Sequence, residues 1–269
     1  MGPSSAPLSV PDRSDVPGPG SVSSGPLAED SLARIRRTWE GVVGCPSGLT
    51  GTGLEVVAQQ GKRDPSQEWI RIVCLMGATV VSTPPSRVAG LRERLVSLGA
   101  DELVDCDLWA GIVGPCAEIL GPASLAYVDG NCFRASSPDP RIELRSSHDD
   151  RVLALIEACG AAEARESGIV QWTSPLFTIE ESGAAIAASG YTVWSRELAH
   201  LGVLTHPGWR GRGLARAVAG AAIAHALRID LVAQWRARLT LTASRQVARS
   251  LGFIELGHQL SLRLSPADG

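Results

Sequence analysis

The chain has 269 residues, a net charge of −3 and 44% apolar residues. That is material for one large or two modest domains with a core, and the mild acidity gives no ground for a nucleic-acid or membrane partner. The six cysteines, at 45, 74, 106, 116, 132 and 159, show no C-x-x-C pairing and no close His spacing, which points away from a disulfide framework and from zinc.

Residues 1–30 are rich in Pro, Ser and Gly and almost without apolar runs. Such a segment cannot offset the entropy of ordering and is expected to be a disordered tail. It carries neither the basic nor the apolar region of a signal peptide, and Ala6 stands where a myristoylation signal needs Ser or Thr. The longest apolar run, Leu214–Leu227, is too short for a membrane span and is interrupted by Arg216 and His225. A cytoplasmic location is therefore expected.

Further along, Ser31–Val43 reads as an amphipathic helix capped by Asp30 or Ser31. Leu54–Gln59 and Trp69–Thr83 read as strands, the second broken at Met76-Gly77 into a hairpin. Ser86–Leu98 reads as a helix closed by Gly99, a further helix is expected over roughly Leu108–Leu120, and Ser124–Val128 as a short strand. Asn131 and Ser136-Ser137-Pro138-Asp139-Pro140 mark a linker, so that a smaller α/β region, 31–135, precedes a second unit, 140–269. In that second unit the expected strands are Leu176–Glu180, Ala184–Trp194, Leu198–Leu204, Leu231–Thr240 and Gln259–Leu264. An Ala-rich helix over Leu214–Leu227 and another starting at Thr242-Ala243-Ser244 complete it.

The chemistry concentrates in Leu198–Ala215, LAHLGVLTHPGWRGRGLA. A strand feeds a glycine-rich loop that opens a helix, and the unpaired first amides of a helix attract anions. Leu214 after Gly213 excludes the Walker loop, and Arg216 occupies the place of the third glycine of the dinucleotide fingerprint. Arg210, Gly213 and Ala215 instead fit [Arg/Gln]-x-x-Gly-x-[Gly/Ala], and Ser244-Arg245-Gln246-Val247 leads to Leu251-Gly252-Phe253. On these motifs, residues 140 to 266 resemble the GNAT superfamily of acyl-CoA-dependent acetyltransferases.

The resemblance implies an α+β fold whose mixed sheet is flanked by helices, and acetyl transfer from acetyl-CoA to a primary amine by direct attack in a ternary complex. It implies cofactor contacts from Val203, Leu204 and Thr205 at the strand end, with a backbone amide near Leu204 as oxyanion donor. The loop itself, Arg210, Gly211, Arg212, Gly213, Leu214 and Ala215, would wrap the pyrophosphate. No metal is implied. For the base, the residues offer Glu197, His200 and His206; alternation along a strand lets at most one of Glu197 and His200 face a cleft unless a bulge intervenes.

The family's tyrosine acid falls on Ala248 and its cofactor-contacting asparagine on Leu241. These departures keep open the alternative of a catalytically weak acyl-CoA-binding regulatory module. The acceptor is expected to be a small-molecule or protein amine; Glu163, Glu166, Glu180 and Glu181 flank its side, where they either attract a cationic amine or are simply surface charges on a helix and a hairpin. Region 31–135 reads as a decayed copy of the acyltransferase half, lacking a glycine cradle, that shapes the cleft or a homodimer contact.

Overall fold

The computed structural model describes residues 25–45, 49–59, 68–135 and 139–265. The tail over 1–24 and the linker core Ser136-Ser137-Pro138 lie outside the described residues. One ten-stranded sheet, in the order β1-β3-β2-β10-β4-β9-β8-β7-β6-β5, runs through both parts of the chain. Its strands are β1 (Gly53–Ala58), β2 (Trp69–Leu75), β3 (Ala78–Thr83), β4 (Cys116–Val128), β5 (Ile142–Arg145), β6 (Leu176–Glu181), β7 (Ala184–Trp194), β8 (Leu198–Thr205), β9 (Val232–Arg238) and β10 (Ile254–Leu264). The helices are α1 (Glu29–Val43), α2 (Val88–Leu95), α3 (Cys106–Val113), α4 (Asp150–Cys159), α5 (Ala161–Ser167), α6 (Leu214–Arg228) and α7 (Thr242–Ser250). This is the mixed α+β architecture expected from the sequence.

The hairpin turn at Met76-Gly77 forms as expected, with both residues at positive φ (51° and 87°), the geometry that matches the twist of the strands it joins. Helix α1 starts two residues before the expected Ser31, and neither Asp30 nor Ser31 is its cap. The N-cap is Ala28, which makes no side-chain cap bond, and its amide donates instead to Asp129 Oδ2 at 2.8 Å.

The expected helix over Leu108–Leu120 is a shorter helix followed by a strand. Gly114 takes a left-handed φ of 79°, and Pro115 cannot continue the ladder. Beyond it Cys116–Leu120 pairs with β10, where Glu118 faces Arg263 and bonds it at 3.0 Å. Ile119 and Leu120, 44% and 47% exposed, made an apolar run with no helical buried face behind it. Strand β5 and helix α4 have no counterpart among the expected elements; Asp149 caps α4 by accepting from the Arg151 amide.

Two faces of the sheet matter for the site. Thr192, His200, Gln234 and Tyr127 stand in one row across β7, β8, β9 and β4. Over that row lies α1, whose Trp39 Nε1 donates to Tyr127 Oη at 2.5 Å. Further along the same face Gly190 and Gly202 pair, and Trp172 and the end of α5 press directly on them. On the opposite face Tyr191 reaches His225 of α6 at 2.6 Å, which buries it away from any acceptor pocket.

Candidate active site

Strands β8 and β9 are parallel neighbours for only three residue pairs, ending at His200 and Gln234. Past that point each is held on its outer side, β8 by β7 out to Thr205 and β9 by β4 out to Arg238. Their inner edges diverge and leave a cleft of about 680 Å³. Leu201–Thr205 and Trp235–Ala237 form its walls, α5 and α7 flank it, and the loop Trp209–Gly213 with the start of α6 closes its outer end.

Which backbone groups face the opening follows from the ladder. The His206 amide donates across to Ile186 of β7 at 2.9 Å. Antiparallel pairing alternates, so the amides of Leu204 and Gly202 also turn to β7, while those of Leu201, Val203 and Thr205 turn to the cleft. Of the amides near Leu204, those of Val203 and Thr205 face the opening, while Leu204 spends its own in the ladder. The Thr205 carbonyl is already met by Arg210 Nε at 3.2 Å, whereas Thr205 Oγ1 is buried with no partner among the described residues.

The loop is a cradle in form. Gly211 and Gly213 take φ of 76° and 77°, and no atom lies within 4 Å of a Cβ built at either. Gly213 ends the loop as the N-cap of the 15-residue α6, whose first turn has no acidic residue and no side-chain cap. The amides of Leu214, Ala215 and Arg216 therefore remain free for an anion. Arg212 stacks on Trp209 at 4.5 Å, and His206 caps the preceding turn by accepting from the Gly208 amide at 3.1 Å. Arg210 points back across the cleft mouth to Glu163 Oε2 of α5 at 2.6 Å.

None of the three residues offered for the base, Glu197, His200 and His206, is among those that line the cleft. Glu197 lies in the β7–β8 turn at the closed end of the divergence, outside the cleft walls, with Arg34 at 2.6 Å and Arg37 at 3.3 Å. Burial pushes its carboxyl up, but the bonds from the two arginines outweigh that and hold it below the usual carboxylate value. Both of its carboxylate oxygens are thus engaged, Oε2 by Arg34 and Oε1 by Arg37. His200 stands at the apex, stacked on Trp194 at 4.6 Å. Its Nδ1 is 2.9 Å from Gln234 Oε1, and Gln234 Nε2 donates to Tyr127 Oη at 3.0 Å. Burial, and then the Arg236 cation, push His200 down to about 3 against the opposing Gln234 bond.

The cleft's carboxylates are paired as well: Glu166 of α5 bonds Arg238 at 3.4 Å, as Glu163 does Arg210. Glu180 is tied to Arg145 at 2.7 Å and does not line the cleft. Ala248, in the place of the family's tyrosine, is buried. Sequence reasoning missed Ser244 as a support of the wall: its Oγ accepts from Trp235 Nε1 at 3.0 Å. It also missed Gln234 and Arg236, because β9, far along the chain from β7, brings these to the apex. Among the described residues no cluster of metal-ligating side chains forms, and no helix is long and apolar enough to cross a membrane.

A family model described as GNAT acetyltransferase matches residues 177–258, the segment that builds the cleft. No curated protein matches the chain. Among solved structures, a GNAT-family protein from Novosphingobium aromaticivorans is 22% identical with a TM-score of 0.46, over 57% of this chain and 67% of its own. An acetyltransferase from the GNAT family of Colwellia psychrerythraea is 15% identical with a TM-score of 0.44, over 60% of this chain and 62% of its own. A protein of Salmonella typhimurium, solved with its cofactor acetyl-CoA, is 17% identical with a TM-score of 0.34, over 48% of this chain and 94% of its own.

Proposed function

We propose that the chain, whose residues 177–258 match a family model of GNAT acetyltransferases, transfers an acetyl group from acetyl-CoA to a primary amine. The observation that carries this reading is the parting of β8 and β9 directly above an uncapped, glycine-opened helix N-terminus. Acetyl-CoA supplies an activated thioester, and the donor set fits its two polar parts. Free amides at the head of α6 and the open space over Gly211 and Gly213 suit a pyrophosphate. Inward amides on β8 and the unpartnered Thr205 Oγ1 suit an extended, amide-bearing arm.

In the reaction, an N–H and a C–S bond are replaced by C–N and S–H. The chain's part is to orient and to exclude water; the amide of Val203 or Thr205 is set to receive developing negative charge on oxygen. One preorganised donor of that kind lowers a barrier by about 3 kcal/mol. Burial and the Arg236 cation push the His200 imidazole down, which disfavours its taking a proton from an ammonium. The acceptor then gives up its proton to solvent before attack. The pH profile of kcat/KM is therefore expected to rise with the acceptor's own pKa, without an inflection near pH 6–7. An inflection there that His200→Gln removes would instead make His200 the base.

The reading is tested by thermal unfolding with acetyl-CoA, CoA and ATP, beside an Arg210→Ala/Gly213→Val double variant. Ligand at a hundredfold over Kd adds about 2.7 kcal/mol, which moves the midpoint by about 5–10 °C. A shift with both CoA species that the variant loses is the expected result; no shift with either overturns the reading. Release of free thiol when amines are added separates an enzyme from a binding module.

A further inference from the structure

The charges lining the cleft do not balance, and the residue left over stands at the apex. The walls carry Glu163 and Glu166 against Arg210, Arg216 and Arg236. Both carboxylates are already neutralised, Glu163 by Arg210 and Glu166 by Arg238 just beyond the wall. Among the described residues, Arg216 and Arg236 have no carboxylate partner. Arg216 lies in the first turn of α6 and belongs to the cradle.

Arg236 is in a different place. It follows Gln234 by two residues on β9, so it stands on the same face of the sheet, next to the point where β8 and β9 part. Its guanidinium lies 5.5 Å from the centre of the Trp194 ring, the ring that also stacks on His200. The one hydrogen bond it donates to a side chain among the described residues is long, 3.3 Å to the neutral Gln259 Oε1. A solvent-exposed cation backed by an aromatic ring and held only by an amide keeps most of its donors free.

We infer that Arg236 is a specificity-determining residue that receives an oxyanion group on the acceptor, which is therefore an amine carrying a carboxylate or a phosphate. The inference rests on the acetyl-transfer reading above and names its substrate class. A guanidinium binds either group through two parallel N–H donors, and it fixes the direction of the acceptor as well as its affinity. The same charge turns away an acceptor that bears only cations, since the two wall carboxylates are not free to meet it. This reverses the expectation that the cleft glutamates attract a cationic amine.

The test uses the full chain at constant ionic strength with CoA present. Unfolding midpoints are measured with β-alanine, with O-phosphoethanolamine and with uncharged-tail ethanolamine, on the native chain, Arg236→Gln and Arg236→Lys. The native midpoint is expected to rise with one or both of the anion-bearing amines and not with ethanolamine, and which of them acts separates carboxylate from phosphate. Arg236→Gln should weaken that response by about 10- to 100-fold in apparent affinity, while Arg236→Lys keeps part of it. An equal shift with ethanolamine, an unchanged response in Arg236→Gln, or no shift with either anionic amine overturns the inference. The shift caused by CoA alone is read in the same experiment, so its absence marks a failure of the acetyl-transfer reading separately.

Discussion

Gly202→Ala is expected to cost about 3 kcal/mol, the upper end of what overpacking costs, and to lower Tm by about 6–12 °C. A Cβ at this position would lie 1.9 Å from the Ser167 carbonyl oxygen and 2.5 Å from Trp172 Cζ2. The first is backbone at the end of α5 and the second belongs to a ring that is itself anchored, since Trp172 Nε1 donates to that same carbonyl at 3.1 Å. Neither can step aside, so β8 or α5 must move, and both are walls of the cleft. The midpoint shift with CoA should shrink in the same variant. Gly211→Ala is the control: open space surrounds its Cβ, and the cost there is the left-handed φ alone, about 1–2 kcal/mol. Differential scanning calorimetry of the two variants decides the matter, and equal, small losses would show that the α5–β8 contact is not tight.

Arg34→Ala is the second large effect expected, and it acts from the other end of the cleft. Arg34, a residue of α1 with a side chain only 10% exposed, joins the two turns that flank the closed end of the divergence. It donates to the Glu197 carboxylate at 2.6 Å and to Asp230 Oδ1 at 3.2 Å, and also to the backbone carbonyls of both residues. Ser195, Arg196 and Asp230 in those turns all have positive φ, near 49°, 61° and 60°. The parallel pairing starts between them, where the Val232 amide donates to the Glu197 carbonyl at 3.0 Å.

Removing a partner from a fully buried pair costs about 3–5 kcal/mol, and the partial exposure of Glu197 brings the expected loss to about 2 kcal/mol. The pH dependence gives a second readout. The carboxyl of Glu197 is held below its ordinary value of 4.5 in the folded chain, so its contribution is complete above that value and fades as pH falls through the lowered one. Native Tm should fall more steeply than that of Arg34→Ala between neutral pH and pH 3. Parallel curves would mean that Arg37 alone holds the carboxylate.

The strand, loop and helix over 198–228 were legible because their signal is local. Periodicity, the two glycines and the Ala-rich run all lie within about thirty residues, and backbone sterics tie each to a conformation. The same holds for Met76-Gly77. Cys116–Leu120 misled for the opposite reason: its apolar run satisfies a helical pattern locally, and only pairing with β10, more than a hundred residues later, makes it a strand. The surroundings of Glu197 were hidden likewise. Spacing along the chain placed it at a strand start, whereas it lies in the β7–β8 turn beside Arg34, which is 163 residues away.

From the sequence alone came the resemblance to the GNAT superfamily, the mixed α+β class and the strand, glycine loop and helix over 198–228, each read from short stretches whose conformation needs no distant partner. Tertiary structure decided which amides of β8 are free, which carboxylates are neutralised, and that His200, Trp194, Gln234 and Arg236 meet at one apex. Those are matters of distance between elements, and charge and protonation respond to every group within a few ångströms whatever its position in the chain.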